Sequence, residues 1–175
     1  MGKRKRINDF DERLTEEAEV LNRYLFQYRD CIAKKKMLER RKEEIRAEFS
    51  PLKSPRLDGM PRGGSFQDTP VAALMYRLDE IDEKIEAQMS RASKILTDIM
   101  NIIDLLPETT PEEILSKAII ENRYIDRFGW ERVCRENHCS RSKINRHWKR
   151  GLYALLDFKK VKKILEDYYK EEPQC

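Results

Sequence analysis

The chain has 175 residues, 39% of them charged and 39% hydrophobic, with a formal net charge of +4. That length suits one ordinary domain or two small helical units, and so much charge fits long exposed helices better than a compact globule. No run of about eighteen apolar residues offers a membrane span, and the basic start MGKRKRINDF lacks the apolar stretch of a secretory signal.

The four cysteines, Cys31, Cys134, Cys139 and Cys175, show no framework spacing. Reduced thiols in a cytoplasmic protein are therefore expected. Residues 1–8 are expected to form a basic disordered tail. A first helix is predicted from about Asp9 to Phe49. Leu14, Ala18, Leu21, Leu25, Tyr28 and Ile32 recur at three- and four-residue steps and mark one face. Past Lys34 the apolar pattern thins, so the second half should be more exposed. The segment 50–70 carries four prolines and three glycines, which forbid a continued helix.

A second helix is predicted from about Val71 to Leu106. Val71, Leu78, Ile85, Ala92, Ile99 and Leu106 recur every seven residues, interleaved with Leu74, Ile81, Gln88, Ile95 and Ile102. Such a heptad seam must be covered by another helix. The nearest partner is the first helix, folded back as an antiparallel coiled coil. Self-association into a homo-oligomer through the arm is the alternative use of the same seam. Gln88, the one polar residue in it, could set the register.

Pro107 ends this arm. Thr110, Pro111, Glu112 and Glu113 then read as a helix start: a capping hydroxyl, a first-turn proline, and acids near the positive end of the dipole. That helix carries Ile114, Leu115, Ala118, Ile119, Tyr124 and Ile125, and should stop at Phe128-Gly129.

The stretch CRENHCSRSKINRHWK, Cys134 to Lys149, poses a choice. Cys134, His138, Cys139 and His147 could be metal ligands, or two helices could be hinged at His138 and Cys139. Zinc knuckles use spacings such as C-x2-C and H-x3-H, and neither occurs. The helical reading puts Val133 and Cys134 inward, Asn137-His138-Cys139 in a turn, Ser140 at an N-cap, and Ile144, Leu152 and Leu155 inward again. His138 takes the turn position, where histidine tolerates a left-handed backbone. His147 falls at a position that is usually apolar. This is helix-turn-helix spacing, and no metal is expected.

Charge follows the motif. From Arg123 to Arg150 the basic residues are Arg123, Arg127, Arg132, Arg135, Arg141, Lys143, Arg146, Lys149 and Arg150, against Asp126, Glu131 and Glu136, a local +6. From Val71 to Leu106 seven acids face four bases, a balance of −3. The positive field thus concentrates on the helix-turn-helix, which makes double-stranded DNA the expected partner. Arg141, Ser142, Asn145 and Arg146 project opposite Ile144 and are the candidate base-reading residues. Arginine can pair two acceptors on guanine, and asparagine both groups on adenine. Arg132, Ser140, Lys143, Lys149 and Arg150 are the candidate phosphate contacts, which position without specifying.

The segment IIENRYIDRFGWERVCRENHCSRSKINRHWKRGLYALL resembles region 4 of bacterial sigma factors. There an RYI helix leads into a helix begun by tryptophan, a turn, serine and a recognition helix. Gly151 stands where region 4 often has alanine, and Asn137 and His147 are polar departures from its core. The longer layout, a helical hairpin with a Pro/Gly loop before that module, looks similar to phage-encoded transcriptional regulators of the ArpU and RinA type. The resemblance implies promoter binding, control of phage or prophage late genes, and RNA polymerase as a further partner.

The tail from Asp157 onward should form one more helix, with Val161, Ile164, Leu165 and Tyr168 on its apolar face. The expected architecture is all-α: a basic tail (1–8), a helical hairpin arm (9–106, loop 50–70), a sigma region 4-like module (107–157) and a C-terminal helix and tail (158–175). No phosphate-binding glycine loop or serine elbow is present, so neither an enzyme nor a cofactor is expected. Two other readings share these features. One is a small-terminase-like DNA-packaging subunit, which would assemble as a ring. The other is a coiled-coil assembly protein that holds DNA without sequence preference.

Overall fold

The computed structural model describes residues 14–49 and 70–171. The expected basic tail, the first residues of the first helix, the Pro/Gly segment through residue 69 and Cys175 lie outside them. Six α-helices and no strand occur among the described residues: α1 (Glu16–Phe49), α2 (Pro70–Ile103), α3 (Pro111–Tyr124), α4 (Trp130–Glu136), α5 (Arg141–Leu156) and α6 (Lys159–Glu171). No described helix is long and apolar enough to cross a membrane.

The helix α1 begins at Glu16, with Leu14 and Thr15 preceding it in non-helical conformation. Glu16, Glu17 and Glu19 lie in its first turn, where carboxylates complement the positive end of the dipole. The two long helices pack antiparallel. Cys31 and Lys42 of α1 meet Gln88 and Asp82 of α2, so one chain climbs as the other descends. Of the ten seam positions from Leu74 to Leu106, none has an exposed side chain. The polar Gln88 donates from Nε2 to the Cys31 carbonyl at 3.3 Å.

The described residues fall into two compact units, one of residues 30–49 and 70–94, the other of 14–29 and 95–171. In the first, only Cys31, Ala72 and Ala92 are buried hydrophobics among those described. Lys35 and Lys42 share the α1 seam with Leu38 and Ile45, all half-buried. Lysine stems cover apolar surface while their ammonium groups stay near water, and Lys42 pairs with Asp82 across the hairpin. The thinning pattern past Lys34 is thus a seam in which lysines alternate with Leu38 and Ile45.

The second unit holds the main core. Ala18, Leu21 and Leu25 of α1 pack with Ile99, Ile102 and Ile103 of α2, Ile120 and Tyr124 of α3, Leu152 and Leu155 of α5, and Val161 and Leu165 of α6. The Tyr124 hydroxyl donates to Asn22 Oδ1 at 2.6 Å and accepts from Trp148 Nε1 at 2.9 Å, which ties α1, α3 and α5 together. Burial holds its pKa well above the usual tyrosine value. The expected apolar face of α6 is turned into this core, and Tyr168 meets Tyr24 edge-on at 5.5 Å.

Besides the start of α1, which comes after Thr15 and not at Asp9, two boundaries differ from expectation. The helix α2 ends at Ile103, and the chain tightens through Leu105 N–H to Ile102 O and Leu106 N–H to Ile103 O. The helix α3 ends at Tyr124, before Phe128-Gly129, and the reversal is made by Arg127 at φ 60°. Gly129 is not the left-handed residue; it stands at φ −68° as the N-cap of α4.

Candidate nucleic-acid interface

The module of α3, α4 and α5 is built from two caps and a hinge. Thr110 Oγ1 accepts from Glu113 N–H at 3.3 Å, and Glu113 Oε2 accepts from Thr110 N–H at 2.9 Å. This reciprocal capping box fixes the start of α3.

At the end of α4, His138 takes φ 49°. Its N–H bonds Arg135 O at 3.2 Å, and Cys139 N–H bonds Cys134 O at 3.1 Å. That pair of bonds around a left-handed residue is the Schellman closure, in which the residues at the two ends of the longer bond touch. Cys134 and Cys139 are those two residues. Both are half-buried and pack against the cluster of Ile119, Val133 and Ile144. Asn137 spends its side chain locally, donating from Nδ2 to Val133 O at 2.8 Å. Both cysteines are therefore accounted for by packing, and no group of three or more metal-ligating side chains gathers among the described residues.

Ser140 caps α5, its Oγ accepting from Lys143 N–H at 3.4 Å. Ile144, His147, Gly151, Leu152 and Leu155 line the buried side of α5. His147 Nδ1 lies 3.1 Å from Ser116 Oγ, which itself donates to Glu112 O at 2.8 Å. With the hydroxyl proton directed at that carbonyl, the ring donates from Nδ1. Burial and the nearby positive Lys143 hold its pKa below the usual histidine value. Gly151 permits a close approach, since a Cβ there would lie 2.9 Å from Ile120 Cγ1 of α3.

The opposite face of α5 carries the candidate base readers. Arg141, Ser142 and Arg146 are exposed on its first two turns, and Asn145 is half-buried. Lys143 is exposed and Lys149 half-buried. Arg150 and Arg132, two of the candidate phosphate residues, make contacts within the chain. Arg150 pairs with Glu112 of α3, whose carboxyl it holds below the usual range. Arg132 lies over the Phe128 ring at 3.7 Å and reaches Glu136 Oε1 at 3.4 Å.

Beside this helix lies an arginine–aromatic group that residue spacing did not reveal. Arg123 turns inward, donating from Nη1 to Phe128 O at 2.8 Å. Its guanidinium lies over both Trp130 at 4.5 Å and Phe26 of α1 at 5.0 Å. Arg29 meets the same Phe26 ring at 5.7 Å, and Arg127 meets Tyr28 at 5.5 Å. The only local signal was the cluster of aromatics and arginine at Phe26, Tyr28 and Arg29, which reads equally as a packing face. No family model, curated protein or solved structure matches this chain.

Proposed function

We propose that the chain is a sequence-specific, double-stranded-DNA-binding regulator of transcription that reads the major groove with the first two turns of α5. The observation that carries this reading is the division of α5 into two faces. Ile144 and His147 are buried under a capped, hinged pair of helices, while Arg141, Ser142 and Arg146 stand exposed near the N-terminus. A recognition helix enters the groove by that end. The local charge of +6 between Arg123 and Arg150 supports it, because cationic surface supplies the salt-dependent part of DNA affinity. The resemblance to sigma region 4 and to phage regulators of the ArpU and RinA type supports a role at promoters of phage or prophage late genes, with RNA polymerase as the second partner.

Selection from a random duplex library is expected to enrich one motif. On that motif Arg146→Ala should lose about 1–3 kcal/mol and sequence preference with it. Lys143→Ala should weaken selected and scrambled duplexes alike and lower the salt slope by about one unit. If no motif is enriched, or Arg146→Ala loses both duplexes equally, α5 is a non-specific clamp and the assembly-protein reading moves ahead.

A further inference from the structure

We infer that the DNA-binding surface extends beyond the helix-turn-helix onto α1, with Arg29 and Arg127 gripping backbone phosphate beside the N-terminus of α5. This rests on the DNA-binding reading above and adds a contact surface to it.

The first observation is where the cation–π contacts fall. Such contacts occur about once per 70–80 residues. Here five are found among the described residues, all within residues 26–29 and 123–132, and two of them, Arg123 on Phe26 and Arg127 on Tyr28, bridge the two segments. The clustering is a local construction, not a scatter of packing contacts. Stacking uses the flat face of a guanidinium and leaves its N–H edge in plane, free to fork onto a phosphate. Aromatic rings that hold arginine planes in place lower the ordering cost of such a grip.

The second observation is the charge balance. Arg29 and Arg127 are exposed. The ion pairs formed between described residues include none of Arg29, Arg123 and Arg127. Arg123 Nε is buried with no hydrogen-bond partner. Burial lowers the pKa of Arg123, and the like charges of Arg29 and Arg141 lower it further. Arg141 is in the first turn of α5, so the group adjoins the helix end that would enter the groove. Like charges gathered this way are relieved by an anion, and a polyanion flanking the groove has the matching chemistry.

The third observation is backbone conformation. Arg127 stands at φ 60°, a region that disfavours residues with a side chain and suits glycine. The position spends conformational strain to hold an arginine where glycine would fit more easily.

That fit supplies the test. Arg127→Gly suits the backbone while removing the charge, and Arg29→Gln replaces an exposed helical residue. The probe is a labelled random-sequence duplex titrated with the full chain at several salt concentrations. Each variant is expected to lower the salt slope by about one unit, and the double variant by about two, with unchanged helicity by circular dichroism. Arg29→Lys should keep the slope. If wild-type protein binds the duplex and Lys143→Ala lowers its slope, yet both arginine variants keep the wild-type slope, the α1 extension is wrong and the helix-turn-helix binds alone. If wild-type protein does not bind the duplex, the DNA-binding reading itself falls and this inference falls with it.

Discussion

At the scale of single residues, His147 shows how a polar side chain comes to occupy a core position between packed helices. It is 7% exposed, and its ring bonds Ser116 of α3. Burial first, and then the neighbouring cations Lys143 and Arg150, oppose its protonation, and Glu112 offsets them only in part. The folded-state pKa is therefore depressed below that of the unfolded chain. Above about pH 6.5 the ring is neutral in both states and adds no pH dependence. As pH falls below that value the unfolded chain takes up a proton that the folded chain resists, so stability drops. Urea unfolding of wild type and His147→Gln, at about pH 7.5 and about pH 5.5, is expected to show a smaller loss in the variant. Equal losses would mean that His147 titrates normally in the folded protein. The same residue-level logic covers the paired cysteines. Their residue type suggested ligand chemistry and their spacing did not; their places follow from a left-handed His138 that brings the two ends of a helix closure together.

At the scale of elements, the heptad seam of α2 was readable because periodicity is a property of one helix. What lies across it was not. Toward the C-terminal end Ile99 and Ile102 are fully buried against α1. Toward the middle Ile85 is half-buried, on a stretch whose partner helix offers Lys35, Leu38, Lys42 and Ile45. The same substitution should thus cost different amounts along one stripe. Ile99→Ala is expected to lose about 2–5 kcal/mol, and Ile85→Ala about 1 kcal/mol, in line with the smaller apolar area removed from water. Denaturant midpoints of the two variants check this, and equal losses would show that the seam is packed evenly. The helix starts at Thr110 and Ser140 were legible for a similar reason. A cap needs only its own hydroxyl and an amide three residues on. The end of α3 was misplaced because Phe128-Gly129 looked like a stop, whereas Arg127 supplies the left-handed residue.

At the scale of the whole molecule, the two compact units differ in kind. One holds Tyr124, Leu21, Leu25, Ile99, Ile119, Ile144, Leu152 and Leu155 at 0–1% exposure. The other has three small buried hydrophobics among its described residues, Cys31, Ala72 and Ala92. Regions with few buried apolar contacts open at lower free energy. Hydrogen exchange is therefore expected to label amides of residues 31–45 and 74–92 well before those of 99–103, 119–124 and 152–156. Uniform protection would show that the hairpin seam is as stable as the core.

Helix content, the turn at His138, the capping residues and the basic bias of residues 123–150 all follow from near neighbours in the chain, and for that reason they could be read from residue order. The division into units cuts through both long helices; in α1 it falls near the thinning past Lys34, but in α2 the regular seam runs across it unmarked, because it depends on which distant helices supply large side chains. The same holds for Arg123 reaching the Phe26 ring, Ser116 meeting His147, and Gly151 making room for Ile120. Each joins residues far apart along the chain. Each therefore depends on how helices are stacked, a property that propensity and spacing do not encode.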